Sequence, residues 1–364
     1  MRQILRFTVM VIGFLLLFGG SATNNVQAMI LVGPYPQQSQ LDSITILWKT
    51  TTPTVHDEVH WGATPALGNI TREKGLVPTS FHTVIVRGLQ ANQQYYYTII
   101  SDEYESPLCR FWTAFEQNQS IRFVVAGDTR GGWDDWQSTL LVSQGIEREH
   151  PEFVLNTGDL VDDGNTIDDW IDFFASSPYL HNSTFYPVLG NHENYARLYF
   201  SFFSLPSNER WYSFENGPVH FIALDSNLRS RYRLAQYLWL LHELHTGSHP
   251  FTIVLFHHPP YSSGSEHGNS TWVQRLWVPV FEHFQVDIVF NGHDHDYERS
   301  IVNNITYIVT GGGGAPLYDV GQSPWTIYSE KTLHYCLLSI NASTMLFEAK
   351  KPDGSVFDSF VLTK

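Results

Sequence analysis

The chain has 364 residues, and its 36 acidic against 21 basic side chains give a formal net charge of −15. So acidic a protein repels nucleic-acid phosphates and anionic lipid, and we expect neither nucleic-acid binding nor a stable membrane association. The hydrophobic fraction of 43% excludes a disordered chain, and a count of two cysteines excludes a disulfide-rich scaffold. The 17 histidines are the other unusual feature of the composition.

Residues 1–28 are typical of a secretory signal peptide. They begin with two positive residues, Arg2 and Arg6, and continue with a 12-residue apolar stretch at 7–18. The small residues Val26 and Ala28 then precede a cleavage site. The apolar stretch is short for a bilayer span of about 20 residues, so we favour cleavage over a retained membrane anchor. We therefore expect a secreted protein, either extracellular or periplasmic.

Residues 29–115 have an all-β pattern. Apolar and polar residues alternate in the segments 43–48, 82–87 and 95–100, and turn residues separate these segments. The region has no helical periodicity. This pattern predicts a small β-sandwich, and the polar residues 116–120 follow it as a linker.

Residues 121–364 alternate between apolar runs and amphipathic segments. The runs predict buried strands at 121–126, 153–155, 221–224, 252–256 and 286–290. The amphipathic segments predict helices at 136–149, 167–174, 231–245 and 272–284. The end of the chain returns to strands at 305–310, 334–340, 345–350 and 356–362. Together they predict an α/β domain.

The two cysteines fall in the two different predicted domains. In an oxidising compartment Cys109 and Cys336 either pair or stay as two buried thiols, and the sequence leaves both outcomes open.

Polar side chains with metal-binding groups follow the apolar runs of the α/β domain. They are Asp128, Asp159, Asn191, His257, His293 and His295. The carboxyl ends of strands line the ligand crevice of α/β sheets, so we expect these side chains to meet. Asp, Asn and His together suit two cations of the Zn, Mn or Fe kind better than Ca²⁺ or Mg²⁺.

These motifs resemble the signature of the calcineurin-like metallophosphoesterases. The matching segments are Gly127-Asp128, Gly158-Asp159, Gly190-Asn191-His192-Glu193, His257-His258-Pro259-Pro260-Tyr261 and Gly292-His293-Asp294-His295. Within that family the chain is most similar to the purple acid phosphatase group. The resemblance covers roughly residues 30–364. It implies a fibronectin-III-like β-sandwich followed by a four-layer α/β/β/α catalytic domain over residues 121–364.

The resemblance also implies a role for each ligand. Asp159 would bridge two divalent or trivalent ions drawn from Fe, Zn and Mn. Asp128 and His295 would hold the first ion. The second ion would take Asn191, His257 and His293.

Two further histidines are implied on the substrate side. His192 would lie over the phosphate as an electrostatic stabiliser or general acid to the leaving oxygen. His267 falls where the family places another histidine that faces the substrate.

One position departs from the family pattern. The family's charge-transfer tyrosine stands three residues after the bridging carboxylate, and this chain has Asp162 there. Either Asp162 binds the first ion or that ion has one protein ligand fewer, so the purple colour should be absent and iron is no longer the default. Arg130 either contacts phosphate or pairs with a surface acid.

The resemblance implies an acid phosphatase-like enzyme that hydrolyses small phosphomonoesters by a metal-bound hydroxide. A phosphodiesterase or a nucleotide pyrophosphatase on the same site is the alternative. A non-catalytic adhesion or carbohydrate-binding protein that uses the β-sandwich is a third hypothesis, and the complete ligand set argues against it.

Overall fold

The computed structural model of the chain describes residues 29–72, 77–228 and 230–364. The predicted signal peptide, residues 1–28, lies outside the described residues. In the three described ranges, no helix combines the length and the apolar character that crossing a bilayer requires.

The N-terminal region consists of eight strands in two sheets. In chain order they are β1 Ile30–Gln37, β2 Ser43–Thr54, β3 Asp57–Gly62, β4 Asn69–Arg72, β5 Thr79–Arg87, β6 Gln94–Ser101, β7 Tyr104–Glu105 and β8 Cys109–Trp112. One sheet has the order β1-β2-β5, and the other has the order β4-β3-β6-β7 with β8 paired to β6. Trp48, Tyr97 and Phe111 are buried in one apolar cluster that draws on both sheets. The prediction of an N-terminal β-sandwich is confirmed.

The second region contains thirteen strands and six α-helices among the described residues. The strands are β9 Ile121–Ala126, β10 Phe153–Asn156, β11 Thr184–Pro187, β12 Tyr212–Asn216, β13 Val219–Ala223, β14 Phe251–Leu255, β15 Ile288–Asn291, β16 Tyr297–Val302, β17 Ile305–Thr310, β18 Thr326–Glu330, β19 Tyr335–Ile340, β20 Thr344–Lys350 and β21 Val356–Thr363. The helices are α1 Gln137–Glu149, α2 Ile167–Ala175, α3 Arg197–Phe202, α4 Ser230–Thr246, α5 Thr271–Leu276 and α6 Val278–Phe284.

These strands form two sheets that pack face to face. The first has the order β11-β10-β9-β19-β20-β21, and the second has the order β12-β13-β14-β15-β17-β16-β18. Aromatic rings fill the space between them: Phe153 of the first sheet meets Phe221 of the second edge-to-face at 5.5 Å, and Phe214 stacks on Phe221 at 4.8 Å. Helices lie outside, with α1 against β19 and with α4 and α6 on the second sheet. The predicted four-layer α/β domain is confirmed.

The candidate ligands come from both sheets, because β9, β10 and β11 lie in the first sheet while β14 and β15 lie in the second. One prediction about the elements needs correction. The predicted helix 272–284 is divided at Trp277 into α5 and α6. Pro279 lies at the start of α6, where its missing N–H group is tolerated, and it could not continue the preceding helix.

Both cysteines are buried free thiols. Cys109 lies in β8 and Cys336 lies in β19, and burial raises the pKa of their thiols to about 11 and about 12. Of the two outcomes that the sequence left open, the structure has the unpaired one.

Hydrogen bonds join the N-terminal β-sandwich to the second region. The hydroxyl of Tyr35 donates to the carbonyl oxygen of Phe202 at 2.5 Å. The hydroxyl of Tyr97 donates to the carbonyl oxygen of His181 at 2.8 Å. The amide of Gln37 also donates to a backbone carbonyl of β11 at 3.3 Å. Because Tyr35 is buried, the carbonyl of Phe202 has no access to water as a substitute partner.

We expect Tyr35→Phe to lower the free energy of unfolding by about 1–3 kcal/mol, since it leaves a buried carbonyl oxygen without a donor. Denaturant unfolding measures the change. Tyr96→Phe, which removes the same atom from a half-buried tyrosine of β6, is the matched control. Equal effects of the two substitutions would contradict a special role for the Tyr35 hydroxyl.

Candidate metal centre

Asp128 and Asp159 lie in the loops that follow β9 and β10. Both residues have a left-handed backbone, with φ of 56° and 55°, which non-glycine residues rarely adopt. The two loops hold each other, because the N–H of Asp128 donates to the carbonyl of Gly158 at 2.9 Å and the N–H of Arg130 donates to that of Asp159 at 3.2 Å. Such strain, about 1–3 kcal/mol per residue, is typical of functional sites. Both carboxylates are buried and interact through their charges.

Four of the predicted ligands meet around the carboxylate of Asp159. Asp159, His257 and His293 each offer a ligand atom, and these atoms all lie within 4.8 Å of one another. The side-chain oxygen of Asn191 lies 3.0 Å from Nε2 of His257, and Asn191 is exposed at the opening of the site. The structure therefore brings together the four residues that the resemblance assigned to the second ion and the bridge.

Asp128 and His295 form the second group. Oδ1 of Asp128 lies 3.6 Å from Nε2 of His295, and both side chains are buried. The backbone N–H of His293 donates to both oxygens of Asp128, at 3.1 and 3.0 Å. The two residues assigned to the first ion thus lie together, linked through the backbone of His293 to the first group.

The ring of His257 tests whether a cation fits this site. Its Nδ1 lies 2.9 Å from the carbonyl oxygen of Thr157, which only accepts hydrogen bonds, so Nδ1 carries a proton. Its Nε2 then faces two more oxygens, at 3.0 Å on Asn191 and 3.3 Å on Asp159. A positive charge must lie among these atoms, either as a proton on Nε2 or as a metal ion. Such an arrangement, with one ring nitrogen held by a carbonyl, is typical of metal-binding histidines.

The same arrangement recurs at His295. Its Nδ1 lies 2.7 Å from the carbonyl oxygen of Pro316, so its Nε2 points a lone pair toward Asp128. Burial lowers the pKa of His295 to about 4, so a proton does not occupy Nε2 near neutral pH. The donor set of carboxylate, amide and imidazole groups fits a pair of transition-metal ions.

Electrostatic interactions within the site move several pKa values. Burial alone would lower the pKa of His257, but the charges of Asp159 and Asp128, together with hydrogen bonds, outweigh burial and raise that pKa to about 9. Burial alone would raise the pKa of Asp159, but the charges of His257 and His192, together with their hydrogen bonds, hold the pKa below its ordinary value. Burial raises the pKa of Asp128 well above its ordinary value. The pocket therefore concentrates negative charge that needs a cationic partner.

Both predicted catalytic histidines lie at this site. The N–H of His192 donates to Oδ1 of Asp159 at 2.9 Å, and Nδ1 of its ring donates to the carbonyl of Asp162 at 2.7 Å. Its Nε2 lies 3.9 Å from Asp159, and the side chain is partly exposed. The exposed ring of His267 stacks on His293 with centroids 3.9 Å apart.

The role of Glu193 was not predicted from the sequence, although Glu193 belongs to the motif Gly190-Asn191-His192-Glu193. The buried carboxylate of Glu193 accepts the N–H groups of Asp159, Leu160 and Gly190 at 3.0, 2.7 and 2.6 Å. It therefore fastens the loop after β10 to the loop after β11. One signal in the sequence could have indicated this role: Glu193 is a carboxylate two residues after the predicted ligand Asn191, and no ion was assigned to it.

Asp294 has a similar supporting role. Its carboxylate accepts the N–H groups of His267 and Gly268, each at 3.1 Å, and the hydroxyl of Ser262. It therefore fixes the loop that carries His267.

Two glycines allow the loops to approach the carboxylates. A Cβ atom on Gly190 would lie 2.0 Å from Oδ1 of Asp159, and one on Gly292 would lie 2.3 Å from Oδ2 of Asp128. Any side chain at these positions would displace a predicted ligand.

Asp162 is engaged by the protein. Its two oxygens accept Nη1 of Arg130 at 2.9 Å and the N–H of Gly132 at 2.8 Å. This arrangement favours the hypothesis that the first ion has one protein ligand fewer. The acid that pairs with Arg130 is Asp162, at the site itself.

We expect metal addition to raise the melting temperature of the metal-stripped protein, because a cation relieves the repulsion among the buried acceptors and binds only the folded state. Asp159→Asn should abolish most of this increase, since it removes the side chain common to both groups. Thermal unfolding with and without Zn²⁺ or Mn²⁺ measures the effect, and metal analysis measures the bound ions.

Glu193→Gln should weaken metal binding by about 10- to 100-fold without removing a ligand, because supporting groups of this kind orient the ligands. His242→Ala, at an exposed histidine of α4, is the control and should behave as the wild type.

If metal addition raised the melting temperature of Asp159→Asn as much as that of the wild type, this assignment of the site would be contradicted.

The comparisons with known proteins agree with this geometry. Residues 121–297 match the family described as Calcineurin-like phosphoesterase, and residues 304–359 match the family described as Iron/zinc purple acid phosphatase-like protein C. The two matches together cover more than half of the chain. Purple acid phosphatase-like proteins use two metal ions, and the prediction of a two-metal centre is confirmed at that level.

Two curated relatives match most of the chain. The phosphoenolpyruvate phosphatase of Allium cepa is 28% identical over 316 residues, which are 76% of this chain and 64% of that protein. An Arabidopsis thaliana protein named probable inactive purple acid phosphatase 1 is 26% identical over 360 residues, 79% of this chain and 58% of that protein. The chain spans about three fifths of the length of these relatives.

A solved structure supports the fold. Purple acid phosphatase PPD1 from seeds of yellow lupin (Lupinus luteus) aligns with a TM-score of 0.76 over 91% of this chain and 74% of that one, at 23% identity. The family matches and this likeness in fold lead to one conclusion: the chain belongs to the calcineurin-like phosphoesterases and has a purple acid phosphatase-like C-terminal region.

Proposed function

We propose that the chain is a secreted phosphatase that hydrolyses small phosphomonoesters at a two-metal centre. The observation that carries the proposal is the position of Asp159, whose carboxylate lies among His257, His293 and Asn191 and interacts with that of Asp128. A carboxylate in this place is suited to bridging two cations. The two ions, when bound, would supply a hydroxide nucleophile near neutral pH and neutralise charge on the phosphoryl oxygens.

His192 is suited to protonate or stabilise the leaving oxygen. Its backbone N–H is held by Asp159 and its Nδ1 by the carbonyl of Asp162, so the ring orientation is fixed. This leaves Nε2 at the partly exposed edge of the site, beside the bridging carboxylate. A general acid must stand at hydrogen-bond distance from the atom that leaves, and a fixed ring is suited to that task.

The rival functions differ in what they require of this site. A phosphodiesterase or nucleotide pyrophosphatase would use the same ligands, so only the substrate preference separates it from a phosphomonoesterase. A protein that only binds a partner through the β-sandwich would not need six ligand side chains arranged in two groups. The presence of all six supports an enzyme.

We expect the metal-loaded protein to hydrolyse p-nitrophenyl phosphate faster than bis-p-nitrophenyl phosphate. His192→Ala should lower kcat for the monoester by about 10²- to 10⁴-fold, the usual contribution of a general acid. Steady-state kinetics with matched metal content measures both. His242→Ala is the control for loss of an exposed histidine.

A higher rate on the diester would replace the proposed function with a phosphodiesterase. A metal-loaded protein without turnover of either ester would leave the binding hypothesis in its place.

Secretion rests on the composition of residues 1–28. We expect that the full chain, expressed in a secreting host, is released with Met29 as its new N-terminus, which N-terminal sequencing detects. Ala28→Lys should block the cleavage, because the position before the cut requires a small residue. A membrane-bound wild-type product that still begins at Met1 would instead indicate a retained anchor.

A further inference from the structure

Arg130 is a charged side chain at the metal centre that the mechanism above does not use. It lies two residues after Asp128, its N–H donates to the carbonyl of Asp159 at 3.2 Å, and its side chain is only 15% exposed. Burial lowers the pKa of Arg130, but the hydrogen bond with Asp162 and the charges on Asp128 and Asp159 outweigh burial and raise it. The guanidinium is therefore a partly buried cation within electrostatic range of the carboxylates of Asp128 and Asp159.

The protein uses only part of the hydrogen-bonding capacity of this guanidinium. Nη1 donates to Oδ1 of Asp162 at 2.9 Å. Nε is buried and has no hydrogen-bond partner within the described part of the chain. A buried charged donor without an acceptor is costly, so its retention beside a ligand site indicates that a ligand supplies the acceptor.

The neighbours of Arg130 hold it in place. Both oxygens of Asp162 are engaged, one by Arg130 and the other by the N–H of Gly132 at 2.8 Å, so Asp162 is itself fixed. The ring of Tyr318 stacks on the ring of His295 with centroids 4.1 Å apart and planes 19° apart. The charge of Arg130 opposes the effect of burial on the pKa of Tyr318 and adds to the effect of burial in lowering the pKa of His295, so the guanidinium lies on the side of the first ion.

Asp162 also makes a buried arginine compatible with metal ions. A lone guanidinium beside two cations would be repelled, but its pairing with a carboxylate neutralises the charge and leaves other N–H groups free to donate. The planar guanidinium carries five N–H donors, which suit phosphoryl oxygens. Asp162 occupies the position where the resemblance implies a tyrosine ligand, and here its carboxylate binds Arg130.

We propose that Arg130 donates a hydrogen bond to an unesterified phosphoryl oxygen of the substrate and thereby sets a preference for phosphomonoesters over phosphodiesters. The inference rests on the proposed function. A monoester has one more unesterified oxygen than a diester, and Arg130 supplies one more buried donor. In a diester an ester oxygen with its organic group replaces that oxygen, and it is a weaker acceptor that needs more room.

Arg130→Gln tests the proposal, with kinetics on p-nitrophenyl phosphate and bis-p-nitrophenyl phosphate. We expect kcat/KM for the monoester to fall by about 10- to 100-fold, the effect of one hydrogen bond to a charged group. The value for the diester should change by less than about threefold, since no such bond is lost there. The inhibition constant of orthophosphate should rise in parallel with the loss on the monoester.

Two further variants frame the result. Arg130→Lys keeps the charge but loses the planar donor group, so it should restore part of the monoester preference. Arg72→Gln removes an exposed arginine of the β-sandwich and should leave both substrates unaffected. Metal content and melting temperature are measured for every variant, so that a loss of the metal centre is recognised.

Equal losses on the two esters, or no change in orthophosphate inhibition, would overturn the proposal. If Arg130→Gln loses its metal ions, Arg130→Lys decides: a lowered monoester preference supports the proposal and an unchanged one overturns it. These failures differ from failure of the proposed function, which would appear as a metal-loaded wild type without phosphomonoesterase activity.

Discussion

The structure depends on two carboxylates, Asp128 and Asp159, that share one buried pocket. Like charges removed from water repel, and burial by itself raises the pKa of each. A third buried carboxylate, Glu193, adds to the negative charge, and burial followed by the charge of Asp159 raises its pKa to about 7. Such a pocket is stable only with positive charge inside it. The Nε2 atoms of His257 and His295 face these oxygens at 3.3 and 3.6 Å, so a pair of metal ions would supply the positive charge and take these ring nitrogens as ligands.

The backbone around the two carboxylates is strained. Left-handed conformations at Asp128, Asp159 and His293 direct the chain into the pocket, and Gly190 and Gly292 leave room for the carboxylates. The loops are short and begin at strands whose aromatic side chains interlock between two sheets. A rigid, close-packed core can hold strained loops in place, so the packing far from the site preserves its geometry.

The sequence predicted the elements well because local patterns determine them. The bounds of β9 and β17 agree with the predicted 121–126 and 305–310, and the six candidate ligands could be named because each follows an apolar run. Local patterns alone do not show which strands share a sheet, and only the family resemblance implied two sheets, since pairing of β9 with β19 joins segments more than 200 residues apart. The role of Glu193 was also missed, because its partners are backbone N–H groups that leave no trace in the sequence.

Asp162 occupies the position where the family resemblance implies a tyrosine ligand. A phenolate would donate negative charge to the first ion, whereas the carboxylate of Asp162 accepts hydrogen bonds from Arg130 and from the N–H of Gly132. A first ion bound here would have fewer anionic protein ligands and would be more electrophilic, and the ion pair with Asp162 holds Arg130 in place. A formal net charge of −15 would not oppose an anionic substrate, because surface charges are screened within about 8 Å in physiological salt, and Arg130 and any bound ions would dominate the potential inside the pocket.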